Sequence, residues 1–181
     1  MIGIPFIAKE FEMSQKVTIK RENDEKTITN LFQYYIYDMS EYTGFSPNLE
    51  GTYAVADSIS KLSDYWTRTE HYPYLILVDG EIAGFSLVRR YPLNPEYFDV
   101  GQFFVLRKFK RMGVGKRAFK LSVSKHPGKW ITRVLLDNKG AFDFWKKVIS
   151  EVSNDCYIIN EEKYFDKDMN FIYYSIGSNN E

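Results

Sequence analysis

Residues 103–120 read FFVLRKFKRMGVGKRAFK, an apolar run that turns basic, passes through Gly113-Val114-Gly115 and continues into residues able to start a helix. Residues 107–129 hold nine Lys or Arg and no Asp or Glu, although the whole chain balances at 24 basic against 24 acidic side chains. Concentrated positive charge around a glycine pair at a helix start suits a bound phosphate. Glycine lets the backbone approach closely, and the free N–H groups of a first helical turn face an anion.

Two phosphate motifs fail on inspection. The P-loop pattern GxxxxGK[ST] needs a glycine five before Gly115 and a hydroxyl after Lys116, where this chain has Lys110 and Arg117. The dinucleotide fingerprint GxGxxA is matched from Gly113 to Ala118, with Asp137 about twenty residues on. That fingerprint turns tightly off its strand, however, and here six mostly basic residues separate Leu106 from Gly113. It also needs further βαβ units, where the pattern supplies an antiparallel hairpin before and another after. A nucleic-acid module is a third reading, since basic residues alternate with Phe109 and Phe119. The balanced total charge and the lack of a reader motif weigh against it.

The elements that must hold this segment follow from periodicity. Residues 16–20 alternate as a short strand, and Ile28, Leu31, Phe32, Tyr35, Ile36 and Met39 recur at helical steps closed by Gly44 and Pro47. A second amphipathic helix is predicted over 58–69. Residues 74–78, Asp79-Gly80 and 81–89 predict a hairpin, because Asp-Gly tolerates the positive φ angles of a two-residue turn. A long strand is expected over 97–106, a helix over 114–124 and a strand over 129–136. Asn138 then precedes a helix carrying Ala141, Phe144, Trp145 and Val148 on one face, and 156–160 with 170–176 form a last strand pair. The implied fold is α/β: a mixed sheet with helices on both faces and one parallel crossover within 97–136.

The totals set bounds. With 181 residues, 44% hydrophobic and 17% aromatic, the chain is expected to form one folded domain over 13–181, behind an extension at 1–12 with Met13 as an alternative start. The segment from Glu151 onward is acidic, seven Asp or Glu against two Lys. One cysteine, Cys156, excludes an internal disulfide or a multi-cysteine zinc site, and its strand-like setting predicts a buried, inert thiol. His71 and His126 lack metal-ligand spacing, so no metal is expected. Apolar runs such as YLILV fall short of the ~18 residues of a membrane span, and the first residues lack the features of a secretory signal. The expectation is a cytoplasmic protein without a membrane or nucleic-acid partner.

On the motifs quoted, FVLRKFKRMGVGKRAF resembles motif A of the GNAT acyl-CoA-dependent N-acetyltransferases, whose signature is [QR]xxGx[GA] after a strand. Residues 138–145, NKGAFDFW, resemble the N-x-x-A-x-x-F-Y that opens that family's next helix, and the element order is similar to its splayed mixed-sheet fold. Lys110 stands where the family prefers Gln or Arg, and Trp145 where it often carries a tyrosine acid; an indole N–H cannot serve as one.

The resemblance implies acetyl-CoA as the acyl donor, lying where the strand over 97–106 splays from the strand over 129–136. Its pantetheine would pair near Phe103, Phe104 and Val105 like an added strand. Lys110 and the backbone of Arg111, Met112, Gly113, Val114, Gly115 and Lys116 would meet the pyrophosphate. Lys116, Arg117 and Lys120 would face the 3′-phosphate, and Asn138 and Trp145 would line the same cleft. The N–H near Val105 would stabilise developing oxyanion charge, and Asp99 is the expected base. The acceptor, a primary amine, is expected beside Tyr35, Asp38 and Tyr42, in a region made aromatic by Tyr34, Tyr37, Phe45, Tyr53, Tyr65 and Trp66, where rings and carboxylates suit a cation. A GNAT-fold protein that binds acyl-CoA without turnover is the alternative.

Overall fold

A computed structural model describes residues 15–53 and 62–177 of the protein. The first helix, α1 (Glu25–Thr43), follows strand β1 (Val17–Arg21). Asp24 caps it, its side chain accepting from the Lys26 N–H at 2.9 Å, and Gly44 ends it in the left-handed conformation. Ile28, Phe32 and Ile36 recur four apart and form its buried stripe. A single turn, α2 (Asp64–Thr67), is what is described of the predicted second helix; residues 58–61 and the 1–12 extension with Met13 lie outside the described residues.

The central hairpin is β2 (His71–Val78) and β3 (Glu81–Arg90), joined by Asp79 and Gly80 at φ 51° and 86°. Strand β4 (Tyr97–Val105) lies antiparallel to β3, and α3 (Val114–Ser124) then crosses to β5 (Gly128–Leu135), parallel to β4. Helix α4 (Lys139–Ser153) leads to the hairpin β6 (Tyr157–Tyr164) and β7 (Lys167–Ile176). The sheet order is β1-β2-β3-β4-β5-β7-β6.

Helix α1 covers one face, where Ile28, Phe32 and Ile36 pack on Leu75, Phe85, Leu87 and Phe104. Helices α3 and α4 cover the other, through Phe119, Val123, Val148 and Ile149 against Val88, Phe98, Trp130 and Ile172. Fold class, element order and the single parallel crossover agree with the pattern read from the sequence. Two details differ. The last hairpin is longer than the apolar alternation suggested, because β6 alternates half-buried with exposed residues and carries little hydrophobic signal. Cys156 is exposed, not buried: β6 begins one residue later.

Candidate active site

Strands β4 and β5 pair through three positions only, Tyr97 with Lys129, Phe98 with Trp130 and Asp99 with Ile131. Beyond them β5 stays bonded to β7 while β4 stays bonded to β3, so a gap opens between the two strands. A bulge sits where it opens. Leu87 pairs with Gln102 but Val88 with Val100, leaving Gly101 as the extra residue on β4. A Cβ on Gly101 would lie 2.3 Å from the Tyr65 hydroxyl and 3.3 Å from Arg89 Nε, so any side chain there must displace a buried neighbour.

The bulge also decides which backbone groups face the gap. Leu106 N–H donates to Ala83 C=O at 2.8 Å, and that register turns the backbone polar groups of residues 102, 104 and 106 toward β3. The N–H and C=O of Phe103 and Val105 therefore point the other way, into the gap, with no strand opposite. A chain with its own amides can add there as a strand would.

The gap runs on into the glycine segment. Arg111 and Gly113 both take positive φ, 66° and 71°, with Met112 between them outside that region. Such alternation turns successive N–H groups toward one point, a concavity that holds anions. Gly113 caps α3 without any side-chain hydrogen bond, and among the described residues no protein group accepts from the N–H of Val114, Gly115 or Lys116. The two glycines do different work. A Cβ on Gly113 would meet nothing within 4 Å and would project into open space, whereas one on Gly115 would press on Phe144 at 3.3 Å.

Gap, loop and the neighbouring end of α1 form one cleft of about 1510 Å³, lined also by the β6–β7 turn. Tyr35, Asp38 and Tyr42 form its wall on the α1 side. Asp38 receives Arg107 and Lys110, each at 2.8 Å. Burial alone would push the Asp38 carboxyl up, but hydrogen bonds from those two cations outweigh it and hold the group below the usual carboxylate range. Burial pushes the Tyr35 hydroxyl up to about 12. Under the gap, Asp99 Oδ2 accepts from Arg133 Nη2 at 2.7 Å and from Arg89 Nε at 3.4 Å; the Asp99 side chain is 0% exposed.

The sequence pattern of the "Acetyltransferase (GNAT) family" matches residues 34–149, well over half the chain. This chain belongs to the GNAT acetyltransferase family. No curated protein matches it significantly. Solved structures similar in fold include an acetyltransferase from Thermus thermophilus (TM-score 0.64, 14% identity, 90% of this chain and 99% of that one). Another is an acetyltransferase from Streptococcus agalactiae (TM-score 0.59, 14% identity, 88% and 98%). A third is RimL, a ribosomal L7/L12 α-N-protein acetyltransferase in complex with coenzyme A (TM-score 0.57, 11% identity, 90% and 96%).

Of the residues that the GNAT resemblance singled out, Phe103, Phe104, Val105, Lys110, Arg111, Gly113, Val114, Gly115, Lys116, Asn138 and Trp145 line the cleft, and Met112 does not. Phe104 turns its ring to the α1 face. Asn138 caps α4, its side chain accepting from the Ala141 N–H at 3.0 Å. Trp145 stands edge-on to Phe103, Phe119 and Phe144 with centroids 5.0–5.3 Å apart, an aromatic wall on the α4 side.

The cations flanking the loop are more committed than the sequence suggested. Arg117 donates to the carbonyls of Met112 (2.9 Å) and Gln15, clamping the loop from behind. Lys116 and Lys120 both reach Glu151, at 3.0 and 2.8 Å, and hydrogen bonds from Lys120 and then Lys116 pull its carboxyl down to about 2. Asp99 does not line the cleft at all. Arg89, Gln102, Arg133 and Tyr164 do, although they lie outside the set that the resemblance implies. The available signal was a polar residue inside an apolar strand, as in FSLVRR and WITRVL.

Proposed function

We propose that this GNAT chain is an N-acetyltransferase that moves the acetyl group of acetyl-CoA onto a primary amine by direct attack within the cleft. The observation that carries the reading is the continuity of gap and loop. Unpaired backbone at Phe103 and Val105 leads without interruption to the uncapped amides at the start of α3. An anion fits beside Gly113, where the missing Cβ leaves open space, and an extended amide-bearing arm fits between β4 and β5. Phe103, Phe144 and Trp145 give that arm an apolar wall.

When bound, acetyl-CoA supplies a thioester whose C–S bond breaks as the amine nitrogen bonds to the carbonyl carbon, the departing sulfur taking the proton that the amine sheds. The Val105 N–H is the donor we assign to the negative charge that develops on the carbonyl oxygen. Arg117 holds the loop in the shape that presents its amides, and Arg107 and Lys110 hold Asp38 against the opposite wall.

Proton removal is assigned to solvent. Asp99 is enclosed by two guanidinium groups and does not reach the cleft, which supports a structural counter-ion and not the base. An amine with pKa ~10.4 is neutral in about one molecule in a thousand or fewer at pH 7, against a sizeable minority for an α-amine near 8. An enzyme without a base in contact with the amine therefore suits a weakly basic acceptor. A thiol of pKa ~8.5 leaves about 1.4 kcal/mol uphill near pH 7.5, so the lack of a tyrosine acid at position 145 slows the reaction without forbidding it.

Calorimetry with acetyl-CoA, CoA, NAD and duplex DNA tests the ligand; CoA species are expected to bind tightest, and preferred NAD or DNA binding would overturn the assignment. Free-thiol release across a panel of amines then tests turnover. Tight CoA binding with silence across small amines, peptides and proteins would favour a non-catalytic acyl-CoA sensor, the reading that Trp145 supports.

A further inference from the structure

Arg133 lies on β5 two residues past the last β4–β5 pair, and it lines the cleft although its side chain is only 8% exposed. Its Nη2 donates to Asp99 Oδ2, the oxygen that also takes Arg89 Nε. Its guanidinium lies over the Tyr164 ring, 4.0 Å from the centroid, and 5.3 Å from that of Tyr91. These contacts fix the plane of the group. They leave Arg133 Nε and Asp99 Oδ1 buried without partners among the described residues, inside the ion pair itself, and they leave Nη1 without a hydrogen bond.

A guanidinium fixed by aromatic faces and nearly buried at the wall of a cleft, with Nη1 neither buried nor bonded to a protein acceptor among the described residues, is built to receive an acceptor group. Its donors form a planar fork that matches a carboxylate. The carboxylate beside it does not complete it, since Asp99 engages Nη2 and is shared with a second arginine. On the opposite wall, the negative charge of Asp38 is already met by Arg107 and Lys110, which leaves the exposed Glu41 and Asp166 as the cleft carboxylates open to a cation.

We propose that Arg133 receives the carboxylate of the acceptor, so that the amine acetylated here belongs to the amino-acid class and not to the polyamines. This rests on the acetyltransferase reading above. In this arrangement Arg133 sets specificity: it anchors one end of the acceptor while the amine end extends toward the gap beside Val105.

The test is calorimetry on the protein saturated with CoA. The probes are the standard amino acids, β-alanine and γ-aminobutyrate, each beside its carboxamide, together with spermidine. At least one carboxylate is expected to bind about tenfold or more tightly than its carboxamide, the effect of a charge-assisted hydrogen bond. In Arg133→Gln the two should fall within about threefold, with CoA affinity unchanged. Thiol release from acetyl-CoA should rank the same compounds in the same order. Carboxamides or spermidine binding as well as the carboxylates, in wild-type protein that holds CoA, would overturn the assignment, and that comparison does not depend on the variant folding. Failure of CoA itself to bind would remove this proposal together with the acetyltransferase reading.

Discussion

At the scale of single residues, the glycine that bounds the loop and the aspartate under the gap make opposite predictions. Gly113→Asp is expected to lower CoA affinity by tenfold or more, since its side chain enters the space beside the free amides and repels phosphate. Gly113→Ala, strained by ~1 kcal/mol at positive φ, should lose far less affinity; equal affinity of a folded Gly113→Asp, measured by calorimetry, would refute the placement. Asp99→Asn should act on stability, because two guanidinium groups would lose their shared carboxylate. A loss of about 3–5 kcal/mol in urea unfolding is expected. In the protein that remains folded, the thiol-release rate should still rise with pH along the titration of the amine; a wild-type rate limb that Asp99→Asn removes would restore Asp99 as base. The loop was legible because charge and glycine are written directly in residues 107–116. The pairings of Arg117 with the Met112 carbonyl and of Lys116 and Lys120 with Glu151 were not, since they depend on which carbonyl or carboxylate a neighbouring element brings within reach.

At the scale of elements, local chemistry marked most boundaries. Asp-Gly wrote the β2–β3 turn, Gly44 the end of α1, and Asn138 the start of α4. Asn138→Ala should cost about 0.5–2 kcal/mol through the lost cap, whereas Asn138→Asp should retain most of the stability; equal melting of all three proteins would deny the cap its role. The bulge at Gly101 is not legible in the sequence because a single inserted residue shifts the inward–outward alternation without changing composition. Its shift is visible only in three dimensions: Phe98 and Val100 face α3 and α4, as does Phe103, while Gln102 meets Tyr65 on the other side. Gly101→Ala should destabilise the fold by about 1–3 kcal/mol, the cost of overpacking against Tyr65 and Arg89.

At the scale of the whole molecule, acid should loosen the fold through His126. This ring is buried among Tyr72, Phe98 and Trp130 and shares a hydrogen bond with the Tyr74 hydroxyl at 2.9 Å. Burial, helped by Lys125 and the arginines at 21 and 90, pushes its pKa down to about 4. The unfolded chain takes up a proton near pH 6.5 and the folded chain resists it, so the contribution is complete above that pH and is lost as pH falls toward 4. It amounts to at most about 3 kcal/mol. Unfolding free energies of wild type and His126→Gln at pH 7.5 and 5 should differ in their pH dependence; parallel slopes would show that another group controls the acid limb. The three rungs that join β4 to β5 carry a different consequence. The seven strands amount to two plates, one of four and one of three, joined at a narrow neck and braced by α3 against α4. A guest lodged between the plates would rivet them, so amide hydrogen exchange should slow together on both, far beyond the atoms the guest touches.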